Sequence, residues 1–312
     1  MAHPRRFRFG VQAHTAAGPE EWRALARKAE DLGYATLFMP DHFGDQLAPV
    51  PALMAAADAT TVLRIGALVF DNDYKHPVVL AKEAATLDVL SGGRLELGLG
   101  AGWMASDYEQ SGISYDPPKI RVDRFVEGLA VIKGHFAEGE IDVRGEHYTV
   151  TGLDGRPKPP TRPHPPILVG GGGRRMLSIA AREADIVGIN PTVASGAVDA
   201  AAAADTTAAA WDRKVGWVKA AAGERFDDLE INCLTYTTTV TDDREGMSER
   251  LAPAFGVEPA DVPRIPHALV GSVDQICEDL EWKRERWGVS YFVVQAGSLD
   301  ACAPIVERMS GC

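Results

Sequence analysis

The chain has 312 residues, of which 46% are hydrophobic and 24% are charged, a composition typical of a folded protein with a sizeable core. Its 44 acidic and 32 basic residues give a net charge of −12, which argues against nucleic acid or an anionic membrane as a partner. No apolar leader follows Met1 and no run approaches the roughly 20 apolar residues of a membrane span, so we expect a cytoplasmic protein.

Strands and helices alternate over the first half of the sequence. Proline marks two of the helix starts, because its fixed φ and missing N–H suit the first turn of a helix. The predicted elements are a strand at Phe7–Gln12, a helix from Pro19 to Gly33, a strand at Ala35–Met39, a helix at Leu53–Ala59, a strand at Leu63–Phe70, a helix beginning at Pro77, a strand at Leu95–Leu99 and a helix at Lys119–Phe136.

The same alternation continues after a break at about 139–165, where a small β-excursion and a proline-rich loop are predicted. The later elements are a strand at Pro166–Gly170, a helix at Arg174–Arg182, a strand at Ile186–Ile189, an alanine-rich helix at Ala197–Ala222, a strand at Glu230–Thr239, a partly helical insertion at about 242–268, a helix at Val273–Trp287, a strand at Ser290–Gln295 and a helix at Ala301–Met309.

Eight strand-and-helix units predict an α/β fold, a (β/α)8 TIM barrel. We interpret residues 1–312 as one barrel domain with insertions at about 139–165 and 242–268. In such barrels the active site lies at the C-terminal ends of the strands, so residues that directly follow a predicted strand are the candidates for function.

The segment Leu87–Trp103 carries the densest pattern in the sequence. Gly92 and Gly93 suit a tight helix end, and a short apolar strand follows. Gly98, Gly100 and Gly102 repeat with the period of two of an extended chain, so they share one face. That bare face leaves room for a flat ligand such as a ring system.

Asp41 and His42 directly follow the second strand, which places them on the rim where chemistry is expected. A neutral imidazole can take or give a proton near physiological pH. The alternative is a structural histidine that pairs with the backbone or with Asp41.

Four consecutive glycines, Gly170 to Gly173, join the fifth strand to a helix that begins with Arg174 and Arg175. Glycine backbones let N–H groups converge, and a helix N-terminus adds positive potential, so this corner can bind a phosphate. The alternative is a tight turn with solvated arginines. No phosphate-loop or dinucleotide fingerprint is present. The four cysteines and the histidines lack metal-binding spacing, so no metal site is predicted.

These segments together resemble the bacterial-luciferase-like superfamily of flavin and deazaflavin oxidoreductases. The matching motifs run in the same order along the chain: Met39–Phe43, His76–Ala81, Leu87–Trp103, Pro166–Gly173 and Ala180–Asp185. The resemblance is nearest to members that use coenzyme F420, on the strength of Pro40–Phe43 and the block that ends at Arg94.

The resemblance implies hydride transfer between a deazaflavin ring and a small organic substrate, with His42 beside the ring as the catalytic residue. It places a bulge that backs the ring at Leu68–Val69 and a homodimer as the assembly. Trp103 stands where some of these enzymes have an acidic residue, which puts the transfer of their substrate chemistry in doubt. The residues it assigns to the cofactor are Asp41, Leu68, Val69, Gly100, Ala101, Gly102, Gly170, Gly171, Gly172, Gly173 and Arg174.

Two alternatives stay open at this point. The first is an FMN-dependent monooxygenase supplied by a separate reductase. The second is a barrel that binds a cofactor without catalysing a reaction, which Trp103 favours if it fills the pocket.

Overall fold

The computed structural model describes residues 4–312. Over these residues the strands are β1 (Arg8–Gln12), β2 (Thr36–Met39), β3 (Arg64–Ala67), β4 (Phe70–Asp71), β5 (Leu95–Gly100), β6 (Glu140–Arg144), β7 (Thr149–Asp154), β8 (Ile167–Gly171), β9 (Ile186–Ile189), β10 (Glu230–Leu234), β11 (Thr237–Val240), β12 (Ala268–Gly271) and β13 (Val289–Gln295).

The helices over the same residues are α1 (Pro19–Asp31), α2 (Pro49–Asp58), α3 (Pro77–Leu90), α4 (Ala105–Ser111), α5 (Pro118–Phe136), α6 (Arg174–Glu183), α7 (Ala200–Ala204), α8 (Ala208–Ala222), α9 (Arg244–Phe255), α10 (Val273–Trp287) and α11 (Leu299–Met309). Short 3₁₀ turns lie at Gly223–Asp228, Pro259–Arg264 and Ala296–Ser298.

Within residues 4–312, eight parallel strands close into a barrel, in the order β1, β2, β3, β5, β8, β9, β10 and β13. The ring closes because β13 pairs with β1 and β3 pairs with β5. Every residue of β2, β5 and β9 is buried, as expected for parallel strands covered on both faces. The predicted (β/α)8 barrel is confirmed, as are the helix starts at Pro19 and Pro77.

Two predicted elements are wrong in their extent. The alanine-rich stretch forms two helices, because the Thr207 side chain accepts a hydrogen bond from the Ala210 N–H and starts a new helix, α8. The predicted strand at 230–239 leaves the barrel after Leu234, and the Tyr236 N–H donates to the carbonyl of His267. Its continuation, β11, pairs in parallel with β12.

The structure also contains α4, a helix directly after β5 that the sequence analysis did not predict. Its seven residues are too few for a periodic apolar pattern to be recognised. The predicted β-excursion is confirmed as an antiparallel pair of β6 and β7. In the second insertion, α9 and the 3₁₀ turn at Pro259–Arg264 pack around a small apolar cluster that includes Phe255 and Val262.

Four charged side chains and one tyrosine fill the N-terminal end of the barrel, and we call them the base cluster: Arg8, Arg64, Glu96, Glu230 and Tyr291. Arg8 pairs with both glutamates, and its Nε lies 2.7 Å from Glu230 Oε1. Glu96 also accepts from Arg64 Nε at 2.8 Å and from the Tyr291 hydroxyl at 3.0 Å. Each of these buried charges therefore has a counter-charge inside the barrel.

None of the helices within residues 4–312 has the length and apolar character needed to span a membrane.

Candidate active site

The C-terminal mouth of the barrel has an apolar floor. Leu68, Val69 and Leu234 pack onto the buried cluster that contains Phe38, Leu168, Ile186, Tyr291 and Val293. All three floor side chains are only half-buried, so they form the layer of this cluster that the mouth exposes. A half-buried apolar surface at this place suits a flat, largely apolar ligand.

The bulge predicted at Leu68–Val69 is confirmed, and its peptide bond is cis. The Gln12 amide donates to the Leu68 carbonyl at 3.2 Å, and the Gln295 amide donates to Gln12 at 3.3 Å. These two glutamines end β1 and β13, so they hold the bulge from the neighbouring side of the barrel. Sequence reasoning missed both, although a polar residue at the end of an apolar strand was a visible signal.

The alternating glycines of β5 make room for this bulge. A Cβ on Gly98 would lie 1.9 Å from the Ala67 carbonyl oxygen, and one on Gly100 would lie 2.7 Å from a Val69 methyl group. The expectation that the bare face leaves open space is therefore wrong, because protein atoms fill it at Gly98 and Gly100, and also at Gly102. The glycines support the ring site indirectly, by allowing Val69 to reach the centre of the floor.

The loop after β5 is held by the protein's own side chains. Gly102 has φ +74°, and a Cβ there would lie 1.8 Å from the Tyr108 hydroxyl and 2.6 Å from a carboxylate oxygen of Asp71. Arg121 donates to the Gly102 carbonyl, and the Tyr115 hydroxyl donates to the carbonyl of Trp103 at 3.0 Å. The segment Gly100–Trp103 is thus fixed in place at the rim.

His42 is paired with a residue that the sequence analysis did not name. Its Nδ1 lies 2.6 Å from Asp107 Oδ2, and the Tyr74 hydroxyl donates to the same oxygen at 2.9 Å. Asp107 comes from α4, which explains why it was missed. The structural alternative was a pairing with the backbone or with Asp41, whereas the contact formed is with Asp107.

Asp41 instead turns toward the backbone of the next strand. Its Oδ2 accepts from the Asp71 N–H at 3.1 Å, and burial raises the pKa of its carboxyl group. Burial also raises the pKa of Asp71 to about 7, and the nearby carboxylate of Asp73 adds to the shift. The Tyr108 hydroxyl donates to Asp71 Oδ2 at 3.1 Å.

Trp103 flanks His42 at the edge of the mouth. The two rings meet edge to face, with centroids 5.7 Å apart and planes at 89°. Trp103 therefore stands beside the candidate pocket and limits how far the imidazole can turn.

We call the segment Gly170–Arg174 the glycine corner. A Cβ on Gly172 would lie 2.4 Å from the Pro191 carbonyl oxygen, whereas one on Gly173 would meet no atom within 4 Å. Within residues 4–312, the N–H groups of Gly172, Gly173 and Arg174 donate no hydrogen bond. The corner therefore presents free donors at the N-terminus of α6, where anions are favoured.

The two arginines after the glycines differ in their partners. Arg175 is paired with Asp123 on α5. Arg174 is exposed and makes no ion pair with any residue in the described range 4–312. A free cation beside free N–H donors fits the phosphate of a bound cofactor.

His42 and the glycine corner lie on opposite sides of the apolar floor. They follow β2 and β8, which are separated by β3 and β5. Val69 of the floor borders the glycine corner, because one of its methyl groups would be 3.3 Å from a Cβ on Gly170. The mouth thus has an imidazole at one side, an apolar floor in the middle and an anion site at the other.

Comparison with known proteins gives relatives of two kinds. The chain is 28% identical over 169 residues to an FMNH2-dependent dimethylsulfone monooxygenase of Pseudomonas putida, covering 52% of this chain and 46% of the relative. It is 26% identical over 178 residues to an F420-dependent glucose-6-phosphate dehydrogenase of Amycolatopsis mediterranei, covering 54% and 52%. The chain therefore spans about half the length of the curated relatives it matches.

The fold is shared with a coenzyme F420-dependent tetrahydromethanopterin reductase from Methanopyrus kandleri. The TM-score is 0.78 at 17% identity, over 98% of this chain and 99% of that one. A family model described as luciferase-like monooxygenase matches residues 5–290. The chain belongs to the luciferase-like monooxygenase family, whose relatives include both F420-dependent and FMN-dependent enzymes.

Proposed function

We propose that this protein is an F420-dependent oxidoreductase that transfers a hydride between the deazaflavin ring and a small organic substrate. The observation that carries the proposal is the arrangement of the mouth. Free N–H donors and the unpaired Arg174 lie across an apolar floor from His42. This arrangement fits a flat redox cofactor with a phosphate in its tail.

The chain's own residues would position this cofactor and the substrate. Leu68 and Val69 would back the ring, with Gly100, Ala101 and Gly102 beside it. The glycine corner would bind the tail phosphate. The half-buried floor would exclude water from the face of the ring on which it packs. Bound there, the deazaflavin supplies hydride acceptance and donation at its C5 position.

The choice of F420 over FMN rests on the motifs at Pro40–Phe43 and in the block ending at Arg94. Both cofactors carry a phosphate on a ribityl chain, so the glycine corner suits either of them. Relatives of both kinds match the chain at similar identity. An FMN-dependent monooxygenase is therefore the second candidate function.

The experiment is a paired titration of the purified protein with F420 and with FMN, each in its oxidised and reduced form. We expect F420 to bind at least tenfold more tightly than FMN. Arg174→Gln should weaken the binding of the preferred cofactor by about tenfold, or about 1.4 kcal/mol, because it removes a charge-assisted contact to the phosphate. The matched control is Arg182→Gln, an exposed arginine on the same helix, which should leave binding unchanged.

Tight FMN binding without F420 binding would overturn the choice of cofactor. Binding of neither would overturn both candidate functions. F420 binding without oxidation or reduction of any compound in a broad substrate screen would identify the barrel as a non-catalytic carrier.

A homodimer is proposed as the assembly. An apolar cleft of about 340 Å³ between α2 and α3 supports it, lined by Val50, Met54, Leu87 and Leu90 among others. Leu90 is 62% exposed in the single chain, so association would remove a large side chain from water. Light scattering should give twice the chain mass for the wild type and a smaller mass for Leu90→Glu.

A further inference from the structure

The contact that joins His42 to α4 suggests a role beyond the binding of a cofactor. Asp107 is 5% exposed, and both of its carboxylate oxygens are used. Oδ2 lies 2.6 Å from His42 Nδ1 and 2.9 Å from the Tyr74 hydroxyl. Oδ1 faces the Phe43 N–H at 3.4 Å. A buried carboxylate is thus aimed at one nitrogen of the histidine.

This geometry determines which ring nitrogen carries the proton. A carboxylate carries no proton to donate, so at the 2.6 Å contact Nδ1 is the N–H donor and Asp107 Oδ2 the acceptor. In the neutral ring Nε2 then carries a lone pair. Nε2 has no partner among residues 4–312, and the His42 side chain is 25% exposed. The accepting nitrogen is therefore available to a ligand in the mouth.

We propose that Asp107 is the positioning residue for His42, and that it holds the imidazole as the Nδ1–H tautomer with Nε2 ready to exchange a proton with the substrate. This inference rests on the proposed function. When the substrate is oxidised, its carbon gives a hydride to the oxidised deazaflavin, and its O–H or N–H group gives the accompanying proton to Nε2. When the substrate is reduced, both transfers run in the opposite direction.

Asp107 would act on this step in two ways. It keeps the accepting nitrogen turned outward, and its negative charge stabilises the imidazolium that forms when Nε2 takes the proton. The Trp103 ring also contacts the imidazole, edge to face with centroids 5.7 Å apart. The hydrogen bond from the Tyr74 hydroxyl to Oδ2 helps to hold the carboxylate in place.

A purely structural role for Asp107 would be to fasten the loop after β2 to α4. Asp107→Asn separates the two roles, because asparagine keeps the size of the side chain and can still receive the Phe43 N–H. The charge is lost, and the asparagine N–H can stabilise the other tautomer of His42. Glu109→Gln is the matched control, since Glu109 is an exposed carboxylate on the same helix.

The first measurement needs no cofactor. The ¹⁵N spectrum of histidine-labelled protein, with His42 assigned by comparison with His42→Asn, is recorded over a pH series, and the neutral form of the His42 ring should show protonated Nδ1 and unprotonated Nε2. Asp107→Asn should shift the population toward the other tautomer, and Glu109→Gln should not. A wild-type spectrum with mixed tautomers, or with the proton on Nε2, would overturn the proposal.

The second measurement is the rate of hydride transfer at saturating substrate. Asp107→Asn should lower it by about 100-fold, the scale of a lost general acid–base contribution, with less than a tenfold change in cofactor affinity. The pH profile of the rate should also move, which a structural fastening would not cause. Tyr74→Phe should have a smaller effect in the same direction, and it provides a second variant if Asp107→Asn does not fold.

An unchanged rate and pH profile in a folded Asp107→Asn protein would overturn the proposal. Failure of the proposed function has a different signature, because the protein would then bind neither cofactor while the tautomer of His42 still depended on Asp107.

Discussion

Two buried carboxyl groups, one at each end of the barrel, have opposite surroundings. Glu96 in the base cluster is 1% exposed, and although burial alone would raise the pKa of its side chain, Arg8 and Arg64 hold that pKa below its usual value. Asp71 at the mouth is 7% exposed, and burial together with its acidic neighbour Asp73 raises its pKa to about 7. The base neutralises its charges internally, and the mouth does not.

This difference separates the residues that stabilise the barrel from those available for chemistry. At the base, hydrogen bonds and ion pairs join the side chains to each other. At the mouth, the N–H groups of the glycine corner, the Arg174 guanidinium and His42 Nε2 have no partner within residues 4–312. Unsatisfied polar groups beside an apolar floor are what a ligand site requires.

The largest expected effect is at the base. Glu96→Gln leaves Arg8 and Arg64 close together without their shared counter-charge, and it should lower the free energy of unfolding by about 3–5 kcal/mol. Urea denaturation followed by circular dichroism measures this loss. Glu20→Gln, on the exposed face of α1, is the control and should change stability by less than about 0.5 kcal/mol. A loss of similar size in both variants would remove the distinction between base and surface.

The next effect is at the mouth and concerns rate instead of stability. His42→Ala should slow hydride transfer by about 100-fold, or about 2.7 kcal/mol, because the group that exchanges the proton is lost. Cofactor affinity should change by less than tenfold, or about 1.4 kcal/mol. Single-turnover kinetics and a binding titration give the two quantities separately. Unchanged turnover would remove His42 from the mechanism.

The glycine corner offers a comparison between adjacent residues. Gly172→Ala should lower the free energy of unfolding by about 1–3 kcal/mol, because its Cβ would meet the Pro191 carbonyl oxygen at 2.4 Å. Gly173 has φ −82° and no atom within 4 Å of an added Cβ, so Gly173→Ala should cost less, about 1 kcal/mol or below, because alanine is only a poorer N-cap than glycine for α6. Thermal unfolding of the pair measures the difference, and equal melting temperatures would contradict this account of the corner.

The smallest effect follows from the raised pKa of Asp71. In the unfolded chain this carboxyl ionises near pH 4, whereas in the folded protein its pKa is about 7. Its neutral form therefore stabilises the fold below about pH 4, and this contribution is lost as the pH rises through 7. Asp71→Asn should reduce the fall in unfolding free energy between pH 5 and 8 by an amount on the order of 1 kcal/mol.

The control for this pH dependence is Asp45→Asn, an exposed carboxyl on the loop after β2. It should leave the slope between pH 5 and 8 as it is in the wild type. A wild-type slope that persists in Asp71→Asn would assign the effect to another group.

The sequence predicted the barrel well because its signals are local. Apolar strands such as β5 and proline at the starts of α1 and α3 can be recognised without knowledge of the fold. The positions of His42, the bulge and the glycine corner after strands follow from the same alternation. Which carboxylate pairs with His42 could not be predicted, because Asp107 lies 65 residues away on a helix too short to be recognised.

The glycines of β5 are a case in which the pattern was recognised but its structural meaning was predicted wrongly. Their period of two was visible, but the sequence does not reveal that the space they leave is occupied by Val69. Long-range packing of this kind is decided by the closure of the barrel, which brings the bulge after β3 against β5.

The packing of Val69 against Gly98 and Gly100 has a consequence for how this barrel can change over generations or in the laboratory. A side chain cannot be added at either glycine while Val69 and the backbone before it stay where they are. Altering the shape of the floor therefore requires coordinated substitutions on two strands, each harmful without the other. New ligand preferences are more accessible through side chains at the edge of the mouth, such as Trp103, which can be changed without a second substitution on another strand.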